Sequence, residues 1–248
     1  MKRVGVFVCF AAVTLGALST ARAGDAVDHA AFDGLLKKYV DQKGLVDYKA
    51  WKAADTKALD DYLAKLGGVD ASKLDHSEQI ALWCNAYNAI TIRSTIELYP
   101  IDSIKDKFWK TKKWNVGGRK DLSLDDIENE ILRKMKEPRI HFAIVCASVG
   151  CPYLRPEAYT GAKLDAQLDE QVEKCFSDPA KLKIDRDKKV VHAIKLFDWF
   201  GDDFGSSEAQ RLTWIAKHVK DPADKKVCID KDASLKFLDW DWSINEKK

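Results

Sequence analysis

The sequence of 248 residues lacks the short motifs that identify several large enzyme classes. It contains no G-x-S-x-G nucleophile elbow, no H-E-x-x-H helix and no glycine-rich phosphate-binding loop. These motifs expose a serine, place two zinc ligands on one helix face, or cradle phosphates with backbone N–H groups. Their absence argues against the corresponding serine hydrolases, zinc peptidases and nucleotidases. The sequence also has no internal repeat and no low-complexity segment.

The sequence also lacks a large excess of basic or of acidic residues. The chain has 41 Lys and Arg residues against 39 Asp and Glu residues, and three of the basic residues but none of the acidic ones lie in the first 23 positions. The rest of the chain is therefore almost neutral. Because nucleic acids and anionic membranes are recognised through basic patches, we expect neither as a partner.

Long apolar runs are confined to the N terminus. The run at 4–18 follows two basic residues and precedes Ala21-Arg22-Ala23, which is the pattern of a secretory signal peptide. The run is shorter than the roughly 20 residues that a membrane-spanning helix requires, although an uncleaved anchor is the alternative. We therefore predict a signal peptide at 1–23 with cleavage after Ala23. The mature chain would be a periplasmic or secreted single domain at 24–248 without a transmembrane segment.

Cysteine is scarce, with six residues, of which five follow the predicted cleavage site. Exported proteins meet an oxidising compartment, so disulfides are permitted, but an odd number leaves at least one thiol unpaired or bonded to another molecule. Cys146 and Cys151 are the only close pair, and a turn at Gly150 would allow them to bridge. The second pair that a structural zinc site requires is missing. We predict no metal and no cofactor.

Apolar periodicity and capping residues predict several helices. The main ones are at 28–40; at 55–68, with Asp55 as N-cap; at 77–98, ending before Pro100; at 123–135, with Ser123 as N-cap; and at 162–176. Shorter helical pieces are predicted in "WFGDDFG" and "SEAQRLTWIAKHV".

Three segments have strand patterns. On a strand, residues 139–146 would present apolar side chains on both faces except at His141, which is typical of a central strand. Residues 181–195 predict a hairpin that turns at Arg186-Asp187, and "SLKFLDWDWSIN" predicts a last strand. The sequence therefore predicts an α+β fold, in which one helix-rich domain carries a small, mainly antiparallel sheet in its second half.

The helix predicted at 77–98 is apolar on nearly all sides, yet two asparagines face its buried side. In helical projection Asn85 and Asn88 lie opposite Arg93 and Glu97, which mark the solvent edge. An inward-facing carboxamide must find partners, because an unpaired buried polar group costs about 1–3 kcal/mol. These asparagines either pin a neighbouring loop or point into a pocket, where they would orient a catalytic group or bind a substrate carbonyl.

The segment "RIHFAIVCASVGCPYLRPEAY" carries the main candidates for chemistry. On a straight strand His141 and Cys146 would lie on opposite faces about 16 Å apart, so they could share a site only if the chain bends. Cys146 opens a loop of small residues that could approach a ligand, and Arg155 could hold a carboxylate. The alternatives are a core histidine, a disulfide between Cys146 and Cys151, and a surface ion pair of Arg155.

A second arrangement pairs His141 with Cys84, in the chain order that papain-like enzymes use. The group that orients the base would then be Asn85, Asn88 or Glu128. Against this arrangement, Cys84 lies in the middle of a helix and lacks the help that a helix N-terminus gives a thiolate.

Five blocks of the sequence resemble the domain-of-unknown-function family DUF547, in the family's order, over about residues 75–245. The blocks are "ALWCNAYNAITIRSTIELYPIDSIKD", "LSLDDIENEILR", "PRIHFAIVCASVGCPYLRPEAYTGAKLDAQLDE", "KLFDWFGDDFG" and "FLDWDWSIN". The resemblance implies a papain-like cysteine-peptidase fold but no established reaction. The positions that match the family motifs are Asn85, Tyr87, Asn88, Glu128, His141, Cys146, Pro152, Asp203 and Phe204.

The chain departs from the family pattern at two positions. Cys84 stands where the family favours an aliphatic residue, which weakens Cys84 as a nucleophile, and Asn129 stands where the family often has histidine. Cys151 resembles the form of bacterial members, whereas plant-like members have serine there. The resemblance therefore implies that a bridge from Cys146 to Cys151 is not obligatory and that Cys146 is the better thiol candidate.

Three functions are compatible with these residues. The first is a thiol-dependent hydrolase or acyl transferase for peptide or amide bonds, with Cys146 as nucleophile and His141 as base or orienting group. Asn85 and Asn88 would be its polar supports. The second is a non-catalytic binding or scaffolding module on a degenerate enzyme fold, and the third is a redox role of the cysteine pair. The partner would be an unknown small molecule or peptide, contacted by Tyr87, Glu128, Cys151 and Arg155.

Overall fold

A 23-residue helix, α4 (His76–Leu98), lies at the centre of the protein, and its sequence explains both of its ends. Asp75 caps the first turn by accepting a hydrogen bond from the backbone N–H of Glu78 at 2.8 Å. The helix ends at the Tyr99-Pro100 step, because proline disfavours helical geometry in the residue before it. Residues 80–92 are all buried, so other elements surround the middle of α4.

The computed structural model describes residues 26–248, and the predicted signal peptide at 1–23 lies outside this part. Within 26–248, no helix is both long enough and apolar enough to cross a membrane. A π-helix at Asp126–Leu132 continues into a 3-10 turn at Arg133–Met135. The other α-helices of the described residues are α1 (Ala30–Tyr39), α2 (Tyr48–Ala54), α3 (Thr56–Gly67), α5 (Ile140–Ala143), α6 (Leu164–Phe176), α7 (Leu196–Trp199), α8 (Gly201–Phe204), α9 (Glu208–His218) and α10 (Pro222–Cys228).

Short strands form two separate sheets in the described part of the chain. β1 (Trp114–Val116) and β2 (Arg119–Leu122) make an antiparallel hairpin. β3 (Leu182–Asp185) pairs antiparallel with β4 (Val190–Ala193), and β5 (Ser234–Phe237) runs parallel to β4 on its other side. The fold is therefore a helix-rich α+β single domain with small sheets, as the sequence predicted.

The helices predicted at 28–40, 55–68, 77–98 and 162–176 and the hairpin at 181–195 are confirmed within a few residues. Asp55 is the N-cap residue of α3, as predicted, but its side chain makes no capping hydrogen bond, because its carboxylate accepts hydrogen bonds from Lys38 and Tyr39. The sequence patterns missed α2, α10 and the hairpin of β1 and β2, which are all short.

The start of the helix predicted at 123–135 is confirmed. The hydroxyl of Ser123 accepts a hydrogen bond from the backbone N–H of Asp126 at 3.1 Å, and the Asp126 carboxylate accepts one from the Ser123 N–H at 2.9 Å. This reciprocal pair satisfies two backbone donors at a helix N-terminus. The turns that follow are π-helical rather than α-helical, which the apolar spacing did not predict.

The strand predicted at 139–146 is wrong. Residues 140–143 form the single helical turn α5, and the chain becomes extended at Ile144. A short run that is apolar on every side fits a buried helix as well as a buried strand, and α5 is buried between α4 and α6. Since the chain changes from helix to extended structure here, the opposite-face argument for His141 and Cys146 does not apply.

The two inward-facing asparagines of α4 hold the backbone of neighbouring segments. Asn88 donates from Nδ2 to the carbonyl oxygen of Ala143 at 2.9 Å and accepts at Oδ1 from the N–H of Val145 at 2.9 Å. Asn85 does the same with both backbone groups of Tyr159, at 2.8 and 2.9 Å. A carboxamide offers the same donor and acceptor as a peptide unit. Both asparagines therefore anchor the two ends of the segment that contains the cysteine pair.

We predict that Asn88→Ala destabilises the protein by about 3 kcal/mol, because it leaves a buried carbonyl and a buried N–H without partners. The free energy of unfolding in urea measures this change. Asn115→Ala is the matched control, since Asn115 is exposed and its side chain accepts one surface bond from the Asp121 N–H. The control should lose no more than about 0.5 kcal/mol. An Asn88→Ala protein as stable as the control would contradict the anchoring role.

Candidate functional site

A pocket of about 240 Å³ opens between the π-helix, the segment that follows α5, α7 and the C-terminal segment. Its size suits a small molecule or a short part of a peptide. Aromatic side chains form most of its wall, and acidic and sulfur-bearing side chains complete it. The lining residues are Tyr87, Trp109, Asp125, Glu128, Asn129, His141, Ile144, Cys146, Cys151, Pro152, Leu196, Trp199, Phe200, Trp240 and Trp242.

His141 borders this pocket from α5 and is held by an aspartate from α8. Its Nε2 lies 2.8 Å from Oδ2 of Asp203. Arg133 binds the same carboxylate with two guanidinium nitrogens, at 2.6 and 3.2 Å. Burial raises the pKa of Asp203, but the hydrogen bonds from His141 and Arg133 outweigh it and hold the pKa below its usual range. Asp203 is therefore ionised and accepts from Nε2–H.

The imidazole of His141 is neutral and has one unused nitrogen. Only 1% of the residue is exposed, and Phe200 stacks on the ring at 4.3 Å between centroids. Burial lowers the pKa of His141 more than Asp203 raises it. Because Nε2–H points to Asp203, Nδ1 carries the lone pair, and in the described residues Nδ1 has no hydrogen-bond partner. Nδ1 is therefore available to accept a hydrogen bond or a proton from a group in the pocket.

Glu128 faces His141 from the π-helix. Its Oε1 lies 3.9 Å from His141 Nδ1, and its Oε2 accepts a hydrogen bond from the Tyr87 hydroxyl at 3.1 Å. Burial raises the pKa of Glu128 to about 7, against the smaller opposing effects of Tyr87 and Arg133. Single π-helical turns are often found at functional sites. A carboxyl that titrates near neutral pH can serve as a general acid or base.

The cysteine pair forms another part of the wall. Cys146 and Cys151 are joined as a disulfide, with their Cα atoms 6.3 Å apart. The resemblance to DUF547 implied that this bridge is not obligatory, and the C-x4-C spacing alone was compatible with either a bridge or free thiols. Ser148 Oγ lies 3.0 Å from the sulfur of Cys146 and accepts from Trp240 Nε1 at 3.0 Å. An indole N–H only donates, so the single hydroxyl proton of Ser148 is left to point toward the sulfur atoms.

The remaining cysteines of residues 26–248, which are Cys84, Cys175 and Cys228, are free and buried. Cys84 does not border the pocket, and burial raises the pKa of its thiol. The arrangement that paired His141 with Cys84 is therefore wrong.

Three of the predicted site residues lie outside the pocket wall. Asn85 and Asn88 use both ends of their carboxamides on backbone groups, so both serve the fold rather than the pocket wall. Arg155 pairs with Glu157 at 2.5 Å and with Glu170 at 2.7 Å, beside a different cavity. The structure therefore brings together His141, Cys146, Cys151, Glu128 and Tyr87.

The aromatic wall was not predicted. Trp199 from α7 and Trp240 and Trp242 from the C-terminal segment form a cluster with ring centroids 4.7 to 5.9 Å apart. Trp199 remains 43% exposed, although an indole usually buries most of its surface. The tryptophans in "WFGDDFG" and "FLDWDWSIN" were the available signal, but the helix predicted for the first segment and the strand predicted for the second did not place them together. Among the described residues, no group of three or more His, Cys, Asp or Glu side chains is arranged to hold a metal ion.

We predict that Glu128→Gln changes how stability depends on pH. The pKa of Glu128 is higher in the folded protein than its usual value of 4.5, so the native state gives up this proton less readily than the unfolded chain. The carboxyl therefore costs nothing at pH 4 and destabilises the fold increasingly up to pH 8, by on the order of 3 kcal/mol in total. Relative to the parent, Glu128→Gln should gain about this much between pH 4 and pH 8.

Urea unfolding across this pH range measures the difference. Glu130→Gln is the matched control, since Glu130 is exposed on the same helix and absent from the pocket wall. Parallel pH profiles for the parent and Glu128→Gln would contradict the raised pKa.

The family model described as "Protein of unknown function, DUF547" matches residues 71–175. This segment contains α4, the π-helix, α5 and the disulfide, whereas Asp203 and the tryptophan cluster lie beyond it. No curated protein and no solved structure gives a significant match to the chain. The family description assigns no reaction. Over residues 71–175, the chain is therefore similar to the DUF547 family.

Proposed function

We propose that the protein is a thiol-dependent hydrolase or acyl transferase of the cell envelope that acts on amide or peptide bonds. The observation that carries this proposal is that the sulfur of Cys146 and an imidazole held by Asp203 border the same pocket. A nucleophile needs a base, and the base needs a third group that orients it. Asp203 fills that third role for His141.

Cys146 is the better nucleophile of the pair because it is partly exposed, whereas Cys151 is only 5% exposed. The disulfide must open first. A small dithiol would reduce it, so that both cysteines gain a hydrogen and the dithiol leaves as its own disulfide. The Cys146 N–H at 3.0 Å from the Cys151 sulfur and the Ser148 hydroxyl are donors that favour thiolates in this loop.

In the acyl transfer, the Cys146 thiol gives its proton to Nδ1 of His141, and the thiolate attacks the carbonyl carbon. A C–S bond forms, the C–N bond breaks, and the departing amine takes the proton from His141 Nδ1. Asp203 stabilises the imidazolium while it exists. Water then releases the acyl group in a hydrolase, or a second amine accepts it in a transferase.

The export of the protein rests on the pattern of basic, apolar and small residues at 1–23. An oxidising envelope is compatible with the disulfide of the resting protein. A relation to papain-like peptidases is not needed for this proposal. With Cys84 buried, the papain-like order of cysteine before histidine is unavailable, and the order here is His141, Cys146, Asp203.

A non-catalytic binding module is the second candidate. It is favoured by the disulfide, which leaves no thiol in the pocket, and by the partly exposed tryptophan cluster, which offers contact area without a reactive group. In that case a Cys146→Ser protein would fold and keep every ligand and phenotype of the parent.

We predict that, after reduction, Cys146 reacts with iodoacetamide at pH 7 at least tenfold faster than a free peptide thiol, because His141 takes its proton. Mass spectrometry of the labelled peptides measures each cysteine. Cys84, Cys175 and Cys228 are buried and serve as slow internal references. His141→Asn should slow Cys146 about tenfold, and His76→Asn, a change at an exposed histidine, should not.

The acyl transfer itself is tested with p-nitrophenyl acetate. The reduced protein should gain one acetyl group on Cys146, and the oxidised protein should gain none. If Cys146 reacts no faster than a peptide thiol and forms no acyl-enzyme, the enzyme proposal fails and the binding module remains.

A further inference from the structure

We infer that the pocket binds an aliphatic primary amine in its ammonium form, with the carboxyl of Glu128 as its anion and the tryptophan cluster as its apolar wall. This inference rests on the proposed function for the role of the site, because the amine would be the leaving or accepting group of the acyl transfer. The binding itself is independent of the thiol.

The charges around the pocket favour a cation. Its wall contains the carboxyls of Asp125 and Glu128 and no lysine or arginine among the described residues. Arg133 lies beside this wall, and its guanidinium is occupied by Asp203 and by the side-chain oxygen of Asn129 at 2.9 Å. An anionic ligand would find no partner in this wall, whereas a cation would find two.

Two acceptors of the pocket face each other without a donor between them. Nδ1 of His141 is buried and unpartnered, and Oε1 of Glu128, at 3.9 Å, has no hydrogen bond within residues 26–248. Burial raises the pKa of Glu128 to about 7, and a proton on this carboxyl lessens the repulsion between the two acceptors. An ammonium group beside Oε1 would replace that proton and supply the missing donors.

The aromatic wall fits the alkyl part and the charge of such a ligand. Trp199, Trp240 and Trp242 offer indole faces, and the quadrupole of an indole attracts cations within about 6 Å of its centre. Phe200 already has a cation on one face, since the Arg133 guanidinium lies 5.1 Å from its ring centre. A sugar could also stack on exposed indoles, but it would not satisfy an ionised Glu128 as an ammonium does.

Binding of the ammonium is coupled to the protonation of Glu128. The groups that face this carboxyl are Tyr87 from α4, Asp125 and Arg133 from its own helical segment, His141 from α5 and Asp203 from α8. Asp203 stays ionised and Arg133 stays protonated near neutral pH. The affinity for a permanently protonated amine should therefore rise about tenfold from pH 6 to pH 8, as Glu128 changes from one-tenth to nine-tenths ionised.

The test uses the oxidised protein, in which the disulfide prevents acyl transfer. The ligands are Nα-acetyl-lysine N-methylamide and its neutral Nε-acetyl form, titrated at pH 8 and followed by tryptophan fluorescence and calorimetry. We expect the charged ligand to bind at least tenfold more tightly than the neutral one. Glu128→Gln should weaken it about tenfold, and the exposed control Glu130→Gln should leave it unchanged.

Trp199→Ala is a second variant that keeps the test decisive if Glu128→Gln folds poorly. Trp199 is 43% exposed, so its removal should leave the fold intact and weaken the charged ligand at least threefold. Equal affinity for the charged and neutral ligands, or preferential binding of N-acetylglucosamine, would overturn the inference. If the amine binds as expected but the reduced protein forms no acyl-enzyme, only the proposed function fails. If an acyl-enzyme forms without any preference for the amine, only this inference fails.

Discussion

The pair of hydrogen bonds between the Asn88 carboxamide and the backbone at Ala143 and Val145 is the constraint on which the pocket depends. These two residues lie between His141 and Cys146 in the chain. The carboxamide therefore fixes the backbone where the helical turn α5 ends and extended structure begins. The backbone at this point sets the directions of the His141 and Cys146 side chains. Because α4 is buried around its middle, the support is rigid, which a pre-formed site requires.

Burial acts differently on the three ionisable groups that this support brings together. Asp203 remains ionised because it receives hydrogen bonds from His141 and Arg133. Glu128 has only a tyrosine hydroxyl as donor, so burial raises its pKa to about 7. His141 lies between the two carboxyls and stays neutral. Titratable groups whose pKa values are driven apart in one pocket are a common sign of acid and base roles.

Much of the fold could be predicted from patterns among residues that are close in sequence. Caps and apolar periodicity identified the long helices, and alternation identified the hairpin of β3 and β4. The inward-facing polar side of α4 was visible as well, because Asn85 and Asn88 share one face of a mostly apolar helix. Local sequence could not distinguish a helical turn from a strand at 139–146, since burial on all sides removes the periodicity that separates them.

The parts of the site that depend on tertiary contact were harder to predict. His141 and Asp203 are 62 positions apart, and only the family resemblance marked Asp203. The tryptophan cluster joins two distant segments, for which the sequence predicts a helix and a strand. Arg155 does bind carboxylates, but they belong to the chain itself: Glu157, two residues along, and Glu170 of α6, which the fold brings to it. The spacing of Cys146 and Cys151 fitted both a bridge and a free thiol.

The central claim is that His141 and Cys146 act on each other across one pocket. NMR titration of the His141 ring nitrogens tests it most directly, in a Cys151→Ser protein and in a protein with serine at both cysteine positions. The account predicts a neutral ring protonated at Nε2 in both proteins, and a higher His141 pKa where Cys146 is present, because a nearby thiolate favours the imidazolium. Identical titrations in the two proteins, or a ring protonated at Nδ1, would contradict it.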